Sequence, residues 1–247
     1  MLQARVGSTR LPQKMTLPFF EDKTILELII IKLQQNFPDV PIVLATSALQ
    51  ENDILEEIAK GLHCMVFRGS ENDVLQRFID AAEEFQFDRI IRICADNPFL
   101  DVSEMQNVIR FAENNPSFDY VSFTVNGSPS IKTHFGFWTE YVTLQALKKV
   151  NLTTKDSFYH EHVTNYIYGH EALFQIKFIA ANSILEGRND IRMTLDTAVD
   201  FTALSEIYLK LNQRYGNTFG IKEIISFLDE NEQYKIIMTN QIIENSK

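Results

Sequence analysis

The chain has 247 residues, of which 45% are hydrophobic and 23% are charged. This composition excludes a disordered or low-complexity chain, because such chains carry far less apolar material. The formal net charge is −10, and since an acidic surface repels a phosphate backbone, no nucleic-acid partner is expected. The longest apolar stretch, residues 25–33, contains two charged residues and is too short for a membrane span.

Neither a signal segment nor a disulfide framework is predicted. Residues 1–5 lack the apolar core of a signal peptide. The two cysteines, Cys64 and Cys94, are too few for a disulfide-stapled domain and have no metal-site spacing. We therefore expect two buried, reduced thiols in a cytoplasmic protein.

The first half of the chain alternates strand-like runs with helical patterns. Apolar runs predict strands at residues 42–46, 65–67, 90–94 and 120–125. Helices are predicted between them: one from a capping box at Thr24 to about Phe37, one capped by Asp53, and one from a box at Asp101 to about Asn114. This alternation indicates an α/β protein whose parallel sheet has helices on both faces.

The second half is less regular. Its patterns predict an edge strand at 137–142, a helix at 159–168, strands at 174–180 and 191–195, a long helix from about Val199 to Tyr215, and a final helix from Ile221. No repeat or linker interrupts the chain. We expect a single domain over residues 1–247, with a small antiparallel excursion at about 126–180.

The segment after the first predicted strand, residues 3–14, concentrates charge and hydroxyl groups. It holds three cations, Arg5, Arg10 and Lys14, beside Ser8 and Thr9. Such a loop offers positive charge and N–H or O–H donors to a polyanion, although it lacks P-loop spacing. On charge alone, a disordered basic terminus is the simpler interpretation.

The sequence of this loop, Gln-Ala-Arg-Val-Gly-Ser-Thr-Arg-Leu-Pro-Gln-Lys, resembles the signature loop of cytidylyltransferases of spore-coat polysaccharide and acylneuraminate type. It departs only at Gln13, where that family has Gly. Segments 67–75, 92–101, 161–164 and 192–200 resemble further motifs of the family in the same order. The resemblance implies a Rossmann-like nucleotide-diphospho-sugar transferase fold, with a mostly parallel sheet and helices on both faces.

The resemblance also implies an activity, namely coupling of CTP to an acidic or amino sugar with release of pyrophosphate, for cell-surface polysaccharide synthesis. Arg5, Arg10 and Lys14 would neutralise the triphosphate, and the family's assembly implies a homodimer. The implied nucleotide-binding residues comprise the loop and a second segment, namely Leu2, Ala4, Arg5, Gly7, Ser8, Thr9, Arg10, Lys14, Arg68, Gly69 and Ser70.

Two carboxylates, Asp96 and Asp196, are the candidate ligands for Mg²⁺. Each ends a predicted strand, and Mg²⁺ prefers one or two carboxylates with substrate oxygens and waters. Helix capping is the commoner role for such an Asp, but the family motifs around both favour the metal. Asp101 is predicted only to cap a helix, and for Asp73 capping and nucleotide binding are equally supported.

The predicted acceptor region departs from the family pattern. Its candidate residues are Gly136, Trp138, Glu140, His160 and His162. Trp138 stands where the family has Asp, and His160 where an Arg often precedes Glu-His. An aromatic face suits a sugar ring, yet a lone Trp is more often a core residue. These departures leave the identity of the sugar open.

Three alternatives remain at this point. The chain could be a sugar-1-phosphate nucleotidyltransferase for another nucleotide, a nucleotide-binding protein without turnover, or an interaction module that retains the fold. Only Met1 and Leu2 precede Gln3, whereas the family has several apolar residues there. We expect either a start further upstream or a shortened first strand, which would loosen the loop.

Overall fold

The computed structural model describes residues 1–8 and 10–245, and in this part of the chain eight strands form one sheet. The strands are β1 Leu2–Gln3, β2 Val43–Ser47, β3 Met65–Gly69, β4 Arg89–Cys94, β5 Tyr120–Val125, β6 Ser128–Pro129, β7 Glu140–Thr143 and β8 Ile176–Ala180. The helices of the same described residues are α1 Ile25–Asn36, α2 Asp53–Gly61, α3 Val74–Glu84, α4 Val102–Asn114, α5 Leu144–Thr153, α6 Ser157–Glu161, α7 Asn165–Gly169, α8 Ala198–Tyr215, α9 Ile221–Glu230 and α10 Glu232–Glu244.

Strand β1 lies near the centre of the sheet, between β2 and β4, and is parallel to both. Although it has two residues, it is paired on both sides: Gln3 is in register with Ala45 of β2 and Cys94 of β4. Two apolar cores lie on opposite faces, one packed by α1, α4, α8 and α9, the other by α3 and α5. The predicted α/β sheet with helices on both faces is therefore confirmed.

The antiparallel part of the sheet lies inside it and not at its edge. Strand β7 pairs antiparallel with both β4 and β5, and β8 pairs parallel with β5 on the other side. The predicted edge strand at 137–142 is therefore wrong in both position and bounds. Because β7 is interior, Arg92 of β4 stands directly opposite Glu140 of β7.

Helix starts follow the local sequence signals closely. Thr24 and Glu27 form both bonds of a capping box, at 3.2 Å and 2.7 Å. Asp101 accepts the Glu104 amide at 3.0 Å and caps α4. Asp73 caps α3, which confirms the capping interpretation of that residue. Asp53, in contrast, is the first residue of α2 and forms no cap, so that prediction is wrong.

Two elements predicted in the second half differ from the structure. Residues 191–195 belong to no strand; instead, the amides of Met193 and Thr194 donate to the His134 carbonyl at 2.8 Å and 3.2 Å. The helix predicted at 159–168 is divided between α6 and α7. Among the described helices, none is long and apolar enough to cross a membrane.

Candidate active site

The loop after β1 lines a cavity of about 330 Å³ at the carboxyl ends of the parallel strands, which we call the loop cavity. Val6 in the loop donates its amide to the side chain of buried Asn52 at 2.8 Å, which fixes the loop to the start of α2. The described residues around this cavity are Gln3, Ala4, Arg5, Gly7, Ser8, Arg10, Lys14, Met15, Val74, Arg77, Cys94, Asp96, Glu161, His162 and Asp196.

All three cations predicted in the loop line this cavity, and each is paired with a carboxylate. Lys14 donates from Nζ to Asp96 Oδ2 at 2.9 Å and to the Leu195 carbonyl at 2.8 Å. Arg10 contacts Asp196 Oδ1 at 2.8 Å. These ion pairs hold both predicted metal ligands next to the predicted triphosphate cations. A polyanion could therefore replace the carboxylates as partner of the same cations.

Arg5 is held by two partly exposed ion pairs. Its two terminal nitrogens lie 3.2 Å from Glu71 and 3.2 Å from Glu161. Its side chain is about 39% exposed, so these pairs are screened by water and contribute little to stability. Arg5 can therefore change partners at little cost.

A second cavity of about 950 Å³ adjoins the first, and we call it the aromatic cavity. Its described lining residues are Gln3, Arg10, Arg92, Cys94, Asp96, Asn97, Ser130, Ile131, Lys132, Thr133, Gly136, Trp138, Glu140, Phe158, His162, Thr164, Asn165, Tyr168, Thr194 and Asp196. It thus combines three aromatic side chains with many hydroxyl and amide groups. This chemistry suits a polyhydroxylated ligand, whose ring faces and hydroxyls need both kinds of contact.

Trp138 is both a core residue and a wall of the aromatic cavity. Its ring stacks on Phe123 at a centroid distance of 5.7 Å and meets Phe135 and Phe137 edge-on. Its Nε1, and the hydroxyl of Thr194 on the same cavity, are buried without a hydrogen-bond partner in the described part of the chain. Buried donors without partners cost free energy. These two groups of the cavity wall could therefore form hydrogen bonds with a ligand.

Six described residues line both cavities, and we call them the junction residues: Gln3, Arg10, Cys94, Asp96, His162 and Asp196. The junction therefore holds both candidate metal ligands and one loop cation. His162 is exposed here and packs edge-on against the Phe158 ring at 4.9 Å. Cys94 is half-buried, so the expectation of two buried thiols is wrong for it and is confirmed for Cys64 alone.

Gly136 brings the aromatic cavity close to the segment before Asp196. It has a φ of +64°, and an added Cβ would lie 2.9 Å from the Met193 carbonyl oxygen. Both facts require glycine, since other residues are strained at this φ and would collide with the backbone. Gly136 therefore shapes this wall of the cavity.

A buried ion pair stands beneath the aromatic cavity. Arg92 donates to Glu140 Oε2, while Tyr120 and Thr164 donate their hydroxyls to Glu140 Oε1 at 2.5 Å and 2.9 Å. Arg92 also donates twice to Gln3 Oε1, at 3.1 Å and 2.8 Å. Burial alone would lower the pKa of Arg92, but the neighbouring negative charges, Glu140 among them, outweigh it and keep the guanidinium charged. Glu140 has both oxygens engaged by protein groups.

Removing one partner of this pair is expected to destabilise the protein strongly. Glu140→Ala would leave the Arg92 charge buried and uncompensated, at a cost of about 3–5 kcal/mol in free energy of unfolding. Glu83→Ala, which removes the exposed partner of Lys148, is the control and should cost at most about 1 kcal/mol. Urea unfolding curves measure both, and equal losses for the two variants would contradict this account.

Arg68 and Ser70, predicted near the base or ribose, are engaged elsewhere, and neither they nor Gly69 are among the described residues that line the two cavities. Arg68 binds Asp53 at 2.5 Å and Glu56 at 2.7 Å. The Ser70 hydroxyl accepts the amide of Asp73. These contacts support the ends of β3, α2 and α3, so a nucleotide contact would need them to be exchanged.

Three further predicted residues are engaged by the protein itself, through hydrogen bonds or burial, and a fourth is not described by the structure. His160 bonds Asp73 through Nδ1 at 2.8 Å and the Thr154 carbonyl through Nε2 at 2.9 Å, away from the described lining of either cavity. Leu2 is fully buried within β1. The Ser8 hydroxyl accepts the Leu11 amide at 3.4 Å. Thr9 lies outside the described residues.

From the sequence, Gln3 is predicted only as part of the loop segment, without a role of its own, and Arg92 is not placed in the site. Gln3 ends β1 and lines both cavities, and its strand-end position could have indicated it. Because Arg92 can only donate, the Gln3 atom facing it is the oxygen, and the amide nitrogen is the remaining donor of that side chain. Arg92 interrupts an apolar strand run, which is a signal for a buried partner of opposite charge.

The donor set at the junction fits a Mg²⁺ ion. Asp96 and Asp196 supply hard carboxylate oxygens, and Mg²⁺ is commonly bound by one or two carboxylates together with substrate phosphates and waters. No group of three or more His, Cys, Asp or Glu side chains suited to a metal occurs among residues 1–8 and 10–245. Two carboxylates leave the other ligand positions of such a cation to phosphate oxygens and waters.

The sequence model of the family described as cytidylyltransferase matches residues 1–241. The chain belongs to this family. An uncharacterized protein of Methanocaldococcus jannaschii is 36% identical, with 97% of this chain and 93% of that protein covered. The spore coat polysaccharide biosynthesis protein SpsF of Bacillus subtilis is 32% identical, with 94% and 93% covered.

A solved structure agrees with this assignment. The cytidylyltransferase from Leptospira borgpetersenii serovar Hardjo-bovis superposes with a TM-score of 0.83 at 28% identity, over 97% of this chain and 95% of that one. The match therefore covers nearly the whole chain and not only the sheet. The family resemblance predicted from the five sequence segments is confirmed.

Proposed function

We propose that this cytidylyltransferase-family chain couples CTP to an acidic or amino sugar, releases pyrophosphate, and depends on Mg²⁺. The observation that carries the proposal is the junction, where a cavity lined by Arg5, Arg10 and Lys14 meets a larger aromatic and hydroxyl-rich cavity at Asp96 and Asp196. A nucleotide triphosphate and a sugar could thus meet at a pair of carboxylates.

The reaction requires in-line attack by the sugar hydroxyl on the α-phosphorus. A new P–O bond forms to the sugar while the bond to pyrophosphate breaks, and the hydroxyl proton leaves to solvent or to a nearby acceptor. Positioning and charge neutralisation supply most of the acceleration in such transfers. The loop cations carry that role here, since Arg5, Arg10 and Lys14 can exchange their carboxylate partners for the leaving pyrophosphate.

Asp96 and Asp196 would hold the Mg²⁺, which when bound neutralises charge on the triphosphate oxygens. The two carboxylates differ in solvent exposure: the Asp196 side chain is largely buried, and the Asp96 side chain is more exposed. Lys14 ties Asp96 to the backbone next to Asp196. The protein therefore fixes the two carboxylates relative to each other before any ligand binds.

The aromatic cavity is the proposed acceptor site. Gly136, Trp138, Glu140 and His162 all line it. Glu140 acts indirectly, by holding Arg92 and by shaping the cavity. The name of the Bacillus relative supports a place in cell-surface polysaccharide biosynthesis. We further propose a cytoplasmic homodimer, as the family implies, and light scattering on the purified protein measures the dimer directly.

Thermal stabilisation by nucleotides tests the proposal. CTP, UTP, GTP, dTTP and ATP are each added with and without Mg²⁺, and the melting temperature is recorded. A ligand at 100 times its Kd adds about 2.7 kcal/mol to the free energy of unfolding and thereby raises the melting temperature. We expect the largest shift for CTP, and we expect it to grow with Mg²⁺. Screening of acidic and amino sugars for pyrophosphate release then identifies the acceptor. A larger shift for another nucleotide, or none, would contradict the proposal.

A further inference from the structure

Arg192 lies directly behind Asp196, and its side chain is completely buried. Its Nη2 donates to Asp196 Oδ2 at 2.9 Å. The same guanidinium makes a two-point contact with Asp200, at 2.8 Å and 2.9 Å. Its remaining terminal nitrogen lies 2.6 Å from His134 Nδ1. A single buried cation therefore contacts a junction carboxylate, the capping-box carboxylate of α8 and, through His134, the segment that leads to Gly136 of the aromatic cavity.

Asp200 fixes Arg192 in turn. It forms a capping box with Thr197 at the start of α8, and its Oδ2 accepts the amides of Asp196 and Thr197 at 3.0 Å and 2.9 Å. Burial would raise the pKa of Asp200, but hydrogen bonds and charge from Arg192 outweigh it and hold the pKa below its ordinary value. Both the backbone and the side chain of Asp196 are thereby tied to one rigid helix start.

The two oxygens of Asp196 have unlike partners. Oδ2 is bound by Arg192, which has no exposed surface, whereas Oδ1 is paired with Arg10, which is about 50% exposed. Arg10 can move away, and Arg192 cannot. The oxygen that a cation can reach without breaking the buried network is therefore Oδ1.

We propose that Arg192 is a positioning residue for the divalent cation: it occupies Asp196 Oδ2 and presents Oδ1 alone to the junction. This inference rests on the proposed function and identifies the residue that orients the Asp196 carboxylate. Groups that orient a ligand from behind typically change metal affinity 10- to 100-fold when they are replaced. Arg192 touches neither cavity among the described lining residues, so its effect must pass through Asp196.

The test uses Mn²⁺ as the probe cation, with its affinity measured by electron paramagnetic resonance in the presence of saturating CTP. Arg192→Lys keeps the charge but loses the planar fork, and it should weaken Mn²⁺ about 10- to 100-fold. CTP affinity without metal should change less than about twofold, since the loop cations are untouched. Arg188→Lys is the matched control: Arg188 binds Asp190 and Asp229 outside both cavities, and this variant should leave both affinities unchanged.

Asp200→Asn provides a second route if Arg192→Lys fails to fold. It keeps the helix cap while weakening the hold on Arg192, and it should reduce Mn²⁺ affinity in the same direction by a smaller factor. Unchanged Mn²⁺ affinity in whichever variant folds, or an equal loss in metal-free CTP affinity, would overturn the role of Arg192. Failure of wild-type protein to bind Mn²⁺ with CTP would instead overturn the proposed function, so the two failures are distinguishable.

Discussion

Replacing Asp196 with Asn is expected to abolish turnover while leaving the protein folded. The change keeps the size of the side chain but removes the negative charge that faces Arg10 and Arg192. Loss of one preorganised electrostatic contact typically costs about 10²–10³-fold in rate, and loss of a metal ligand should cost at least as much. The measurement is pyrophosphate release with CTP, Mg²⁺ and the acceptor found by screening.

The fold should survive because Arg192 keeps its two-point contact with Asp200. Asp190→Asn is the matched control, since Asp190 lies on the same segment and pairs with Arg188 outside the two cavities. This control should retain turnover. A second measurement needs no acceptor: the increase in CTP affinity on adding Mg²⁺ should disappear in Asp196→Asn alone. Retained turnover or a retained Mg²⁺ effect would show that Asp196 is not a ligand of the metal.

The first half of the fold could be predicted because its signals are local. The capping box at Thr24 and the cap at Asp101 are read from residues three apart, and buried parallel strands appear as short apolar runs. The segment 191–195 misled for the same reason. Its apolar residues alternate with polar ones as in a strand, but the His134 carbonyl, far away in sequence, accepts the amide hydrogen bonds that a neighbouring strand would accept.

The sequence predicted that the loop cations and the two carboxylates lie together, as they do around the loop cavity, but it predicted less of what surrounds them. A motif shows which residue types occur together, but it does not show which charges neutralise each other after folding. The partners of Arg68 lie 12 and 15 residues away on α2, and Arg92 meets Glu140 only because β7 inserts beside β4. Pairing across a sheet depends on strand order, which no local pattern contains.

Lys14 offers the sharpest test of the loop itself. Its side chain is nearly buried, and Nζ is held between Asp96 Oδ2 and the Leu195 carbonyl. Lys14→Ala removes one cation that faces the loop cavity. Since a hydrogen bond to a charged group contributes about 1.5–3 kcal/mol, CTP affinity should fall about 10- to 150-fold. Isothermal titration with CTP, with and without Mg²⁺, measures the change.

The effect on stability must be separated from the effect on binding, because Lys14→Ala also leaves Asp96 without its cation. Lys60→Ala is the control for this: Lys60 likewise pairs with a carboxylate, Glu56, but is about 65% exposed and lies outside the two cavities, so both stability and CTP affinity should hardly change. Lys14→Arg restores the charge with a bulkier, planar group and should recover part of the affinity. Unchanged CTP affinity in folded Lys14→Ala would mean that the triphosphate binds elsewhere, because a buried cation aimed at a bound polyanion cannot be removed without loss.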